Sequence, residues 1–124
     1  MKITGARRVP TFDDIENAGD YSGPHPLQKG ECEVKVIWFL LPIHKGRDKF
    51  DRPDEGSGIH GVYDPPWTFT ECPDGSVEIR ASIGCGASDK GYYWHGYLDS
   101  GNVWRQVLCL PRQSIDTGHV RPAG

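Results

Sequence analysis

Cys85 and His95, a thiol and an imidazole ten residues apart near the ends of facing segments, are the pair in this chain best suited to chemistry. His44 and His60 flank a long charged loop and could supply two further imidazoles. A Cys-His-His-His set has the ligand types of a tetrahedral zinc site. The spacing, however, contains no C-x2-C and no H-x3–5-H pair. The competing and favoured reading makes Cys85 a small buried residue and His44 and His60 polar loop residues. A thiol nucleophile at Cys85 with His95 as base, oriented by Asp89 or Asp99, is a weaker option. No strand–nucleophile–helix elbow surrounds "GCG". Asp51, Asp54 and Glu55 cluster as a hydrolytic carboxylate pair would, but they alternate with Lys49, Arg52 and Pro53, and a solvated loop explains them.

A fourth possibility is a binding surface. In a strand through 93–98, Tyr93, His95 and Tyr97 point one way and Trp94 and Leu98 the other. On the following strand Val103, Arg105 and Val107 alternate with Trp104, Leu108 and Leu110. With Trp94 and Leu98 in the core, Tyr93, His95, Tyr97 and Arg105 form an amphipathic face of the kind that anchors protein interfaces. The alternative is that the tyrosines line the second face of a thin sandwich. Gly96, between them, would let a backbone or ring approach closely.

The elements that position these residues read as β structure. "WTFTECPDGSVEIRASI" (67–83) alternates Trp67, Phe69, Val77, Ile79, Ala81 and Ile83 with Thr68, Thr70, Ser76, Glu78, Arg80 and Ser82. "CPDG" in its middle suits a type I turn followed by a bulge, so the segment is a hairpin. "YYWHGYL" and "VWRQVLCL" around "DSGN" make a second hairpin. "ECEVKVIWFLL" (31–41) is apolar on both faces from Val36 onward, as a central strand is. Residues 42–61 form a polar, charged loop of unusual length. "TFDDIENAG" (11–19) predicts a short helix with Thr11 as N-cap, Asp14 at the capping-box position and Gly19 as the stop. "YSGPHPLQKG" (21–30) is turn-rich and extended.

The predicted fold is therefore mainly β: a small antiparallel sandwich or open barrel of about five strands, with an extended N-terminal arm. Residues 1–30 are the arm, 31–110 the β domain and 111–124 a C-terminal tail expected to fray. The 124 residues suit one domain, and 16 Gly with 10 Pro favour strands and turns over long helices. A net charge of −3 argues against a non-specific nucleic-acid binder. The longest apolar run, 34–43, is broken by Lys35 and closed by Pro42, so no membrane span is expected. The N-terminal residues have no apolar signal region. Four scattered cysteines (32, 72, 85 and 109) then read as reduced thiols in a cytoplasm.

"PPWTFTECPDGSVEIRASIGCG" followed by "WHGYLDSGNVW" resembles a group of small proteins of actinobacterial tailed phages. Their shared pattern is W-x-F, then D-G-x-[VL]-x-[VI]-x-x-S-I, then [WF]-H-G-[YFW]-[LI]-x-x-G, and the match covers residues 65–104. A wider, distantly similar family carries "CPxC" and "C-x-S-H" segments that suggest zinc. Here the Cys-x-x-Cys half is missing, with "LPIHKG" near its place, which leaves only Cys85 and His95 to carry over. The resemblance implies a phage origin, a location in the host cytoplasm or virion, and a compact β domain, without an activity.

The expected function is a phage protein acting by binding, as a virion component or a host-factor-binding accessory protein, without catalysis or cofactor. Its partner would be a protein or a second copy of itself. A zinc-stabilised β domain is the alternative, and a small thiol- or metal-dependent hydrolase the third.

Overall fold

Residues 2–44, 49, 58–85 and 94–107 are described by the computed structural model. In chain order the strands are β1 (Lys2–Gly5), β2 (Arg7–Val9), β3 (Asp20–Lys29), β4 (Cys32–Leu40) and β5 (Ile59–Asp64), then β6 (Thr68–Glu71), β7 (Val77–Arg80), β8 (Ile83–Cys85), β9 (Trp94–Asp99) and β10 (Val103–Gln106). One four-stranded sheet has the order β2-β3-β4-β5 and a second the order β1-β10-β9-β8, while β6 and β7 pair as a hairpin. Every pairing is antiparallel except β2 with β3. The protein is mainly β, an open sandwich and not a closed barrel.

β4 shows why its sequence is apolar on both faces. Ile37 and Phe39, with Leu41 just beyond the strand, enter the core between the sheets, where they meet Tyr21, Val62, Trp94, Leu98 and Trp104. Trp38 and Leu40 point to the other face, into a second cluster with Val9, Phe12, Ile15 and Ile59. A strand buried on both sides has no polar face to alternate with. The Trp104 ring lies 5.0 Å from Phe39 and 5.6 Å edge-on from Trp94. Its Nε1–H donates to the Gly19 carbonyl at 2.8 Å, so the buried indole carries no unsatisfied donor.

The first thirty residues depart from expectation. They do not form an arm over a finished domain; they supply β1 to one sheet and β2 and β3 to the other, so the strands among the described residues number ten and not about five. β3 runs the length of β4, with its register shifting between Ser22 and His25. Pro24 and Pro26 broke the alternation that would have marked it as a strand.

The helix expected over 11–19 is a single 3-10 turn, Phe12–Asp14. Its capping residues are as predicted: the Thr11 N–H and hydroxyl both donate to Asp14 Oδ2, at 3.1 and 2.8 Å. The turn stops because Ile15 leaves it in an extended conformation to become fully buried. The chain then closes on Asp20. This buried carboxylate accepts the N–H groups of Glu16 and Asn17 at 3.0 and 2.9 Å, and both Nε and Nη2 of Arg7. Burial pushes the Asp20 carboxyl up, but the Arg7 hydrogen bond, the two amides and the guanidinium charge outweigh it and hold it below the usual carboxylate range.

The 67–83 hairpin forms as predicted, with Thr68 opposite Arg80 and Glu71 opposite Val77. Gly75 N–H donates to the Cys72 carbonyl at 3.0 Å, and Gly75 adopts φ +87°, the left-handed conformation of a bulge glycine. Two residues of the polar face are nevertheless buried. Ser76 Oγ donates to Asp74 Oδ1 at 2.6 Å and accepts the Gly101 N–H at 2.8 Å, which ties this turn to the β9–β10 turn. The Ser82 carbonyl accepts Trp67 Nε1–H at 3.0 Å. The predicted long loop is shorter than read, because "IHGVYD" is β5, on the far side of β4 from β3. Leu108, Cys109, Leu110 and the tail 111–124 lie outside the described residues.

Candidate functional site

Register decides the fate of Cys85 and His95. β8 and β9 pair with Cys85 opposite Trp94 and Gly84 opposite His95. Residues directly opposite one another project to the same face of a sheet, and neighbours along a strand project to opposite faces. Cys85 therefore enters the core beside Trp94, while His95 lies on the outer face. The structure does not bring the pair together as a metal corner or as a nucleophile and its base.

Cys85 is buried, and that burial pushes its thiol up to about 12. A thiol in that state is a small hydrophobe and not a nucleophile at neutral pH. Cys32, Cys72 and Cys85 are free thiols in the structure.

The other two candidate ligands are also separated from His95. His60 is on β5 and not in the loop, opposite Phe39, with the two rings 5.9 Å apart. His44 closes a turn after β4, its N–H donating to the Leu41 carbonyl at 2.9 Å. Among the described residues no group of three or more His, Cys, Asp or Glu is placed to hold a metal ion. Asp51, Asp54, Glu55, Asp89 and Tyr93 lie outside the described residues.

The outer face of the β1-β10-β9-β8 sheet does assemble the remaining candidates. Trp94 and Leu98 are fully buried, and His95 and Tyr97 alternate with them on the outside as half-buried residues. Ile3 is opposite Arg105, and Arg105 is opposite Tyr97, so the three form one row across β1, β10 and β9. The Arg105 guanidinium stacks over the Tyr97 ring at 4.2 Å. It also donates Nε–H to Asp99 Oδ2 at 2.8 Å and Nη2–H to Oδ1 at 3.2 Å. A two-point ion pair combined with ring stacking holds the side chain in one orientation. At the end of the row Ile3 is 60% exposed, the one large hydrophobic residue among those described that faces water.

Gly96 allows the close approach expected of it, and the ring that approaches is that of Trp94, from the core side. A Cβ there would meet the Trp94 ring at 2.8 Å and run into the Arg105 carbonyl oxygen. It makes room for the tryptophan inside the sandwich and leaves the outer tyrosine face unchanged.

One close pair had no sequence signal. Ser22 Oγ and His25 Nε2 are 2.7 Å apart, with the parts of a nucleophile and a base. Ser22 is fully buried, and the two residues flank the register shift in β3, so the contact pins the irregular strand and offers no access to a substrate. Ser-x-x-His is not a recognisable motif; only the bulge makes the two side chains meet.

The architecture and this face define the molecule as a small open β-sandwich with a preformed outer surface. Comparison of the chain with protein-family models, with curated proteins and with solved structures finds no match. Among the described residues no helix is long and apolar enough to cross a membrane.

Proposed function

We propose that this protein works by binding another protein chain, through the outer face of the β1-β10-β9-β8 sheet, and not by catalysis. The observation that carries the reading is the row Ile3–Arg105–Tyr97: an exposed aliphatic residue beside an arginine and a tyrosine already locked together. Exposed hydrophobic residues next to ordered Tyr and Arg are the usual composition of interface centres, because little side-chain entropy remains to be lost on docking. His95 extends the face along β9. The separation of Cys85 from His95 supports a non-catalytic reading. Assignment to a tailed phage, as a virion component or as a protein that occupies a host factor, rests on the resemblance of residues 65–104.

Native mass spectrometry of the full chain, followed by affinity capture from an actinobacterial lysate, tests the reading. It is supported by an oligomer that reverts to monomer in Ile3→Glu. It is equally supported by a host protein held in fixed stoichiometry by the natural chain and by Cys85→Ser, and lost with Tyr97→Ala. Association that survives Ile3→Glu, Tyr97→Ala and Arg105→Glu together would place the contact elsewhere. A chain that remains a monomer and retains no partner would overturn the reading.

A further inference from the structure

β5 and β8 are edge strands of different sheets, and a partly enclosed cavity of about 290 Å³ lies between them. Val62, Trp67, Ile83 and Cys85, all buried, contribute to its walls. The Trp67 indole is fixed there by its Nε1–H bond to the Ser82 carbonyl at 3.0 Å. His60 also lines the cavity. The β4–β5 register places His60 opposite Phe39, and Val62 opposite Ile37. Phe39, Ile37 and Val62 all belong to the inter-sheet core, so the imidazole occupies a core-facing position on its strand.

We propose that this cavity is a binding site for a small aromatic molecule of one or two fused rings carrying a single hydroxyl or N–H group. The rings lie against Trp67, Val62 and Ile83, and the polar group meets His60. Volume sets the size of the ligand: an apolar cavity of about 150 Å³ accepts benzene, so the space here suits a bicyclic ring. Chemistry sets the class, since largely apolar walls with a small number of polar groups, here His60, are how small-molecule sites hold and orient their ligands. The site does not depend on the outer binding face. It lies between the sheets, and Tyr97→Ala leaves it intact.

The test titrates the full chain with 2-naphthol and, in parallel, with naphthalene, following the methyl resonances of Val62 and Ile83. Saturable shifts with both ligands are expected, with 2-naphthol the tighter. Cys85→Leu, which fills the cavity, should weaken 2-naphthol about tenfold or more, and Val62→Met is the second filling variant if the first does not fold. His60→Leu should weaken 2-naphthol about three- to tenfold, the worth of one hydrogen bond, and leave naphthalene unchanged. No saturable shift at the solubility limit, or binding that persists in both filling variants, overturns the site. An equal effect of His60→Leu on the two ligands removes His60 as the recognising group and overturns the ligand class.

Discussion

On the outer face of the β2-β3-β4-β5 sheet, Val9, Leu40 and Ile59 are buried in one cluster with Ile15, and Phe12 is edge-on to Trp38 at 5.6 Å. On the outer face of the β1-β10-β9-β8 sheet, Ile3 is 60% exposed and Tyr97 and Arg105 are half-buried. The same N-terminal segment serves both sheets. It gives β1 to the second, then β2 and β3 to the first, and the stretch between β2 and β3 folds over the first sheet's outer face. An aliphatic face needs such a cover, because its exposure costs about 25 cal/mol per Å². A face of tyrosine, histidine and an ion-paired arginine keeps its polar tips in water and needs none. The cover belongs to the fold; among the described residues no buried hydrophobic cluster lies on the other outer face, the surface proposed for a partner.

The largest expected effect breaks the cover. Ile15→Ala should lose about 2–5 kcal/mol in urea denaturation, whereas Ile3→Ala should stay within about 0.5 kcal/mol. Equal losses would mean that Ile3 is part of the folding core and would remove the contrast between the faces. Next in size is the anchor of the cover. Asp20→Asn should cost about 2–3 kcal/mol by weakening a buried, charge-assisted network. Because the folded Asp20 carboxyl is held below its ordinary value near 3.8, its contribution is complete above that pH and is lost as the pH falls through the lower folded value. An acid titration of the melting temperature should therefore show a loss in the natural chain that is smaller in Asp20→Asn.

Cys85→Ser sharpens the inside-outside distinction by placing a hydroxyl among apolar side chains, at about 1–2 kcal/mol. In the folded protein iodoacetamide should modify exposed Cys32 well before Cys85, as read by mass spectrometry. Burial raises the folded Cys85 value to about 12, so its contribution is full below the ordinary thiol value near 9 and is lost as the pH rises toward 12. The smallest effect on stability is expected at the outer face. Tyr97→Ala and Arg105→Gln should each cost under about 1 kcal/mol, since a half-exposed ion pair contributes little. A greater loss in either would make the row a structural brace.

What the sequence by itself determined is what neighbours in the chain can encode. Period-two alternation and "CPDG" were enough for the β6–β7 hairpin, and "DSGN" with Trp94 and Leu98 was enough for the β9–β10 hairpin and its inward face. The unbroken apolar run after Val36 was enough for a central strand. Only the tertiary structure decided the rest. β2 and β3 have no alternation of their own and exist because distant backbone edges need partners. Ser76 and Asp20 tolerate burial because Gly101 in one case and Arg7 in the other supply the bonds that water would have made. Cys85 and His95 looked like a pair in sequence. One residue of register separates them onto opposite faces, because the side-chain period of a strand is two and pairing between distant segments sets its phase.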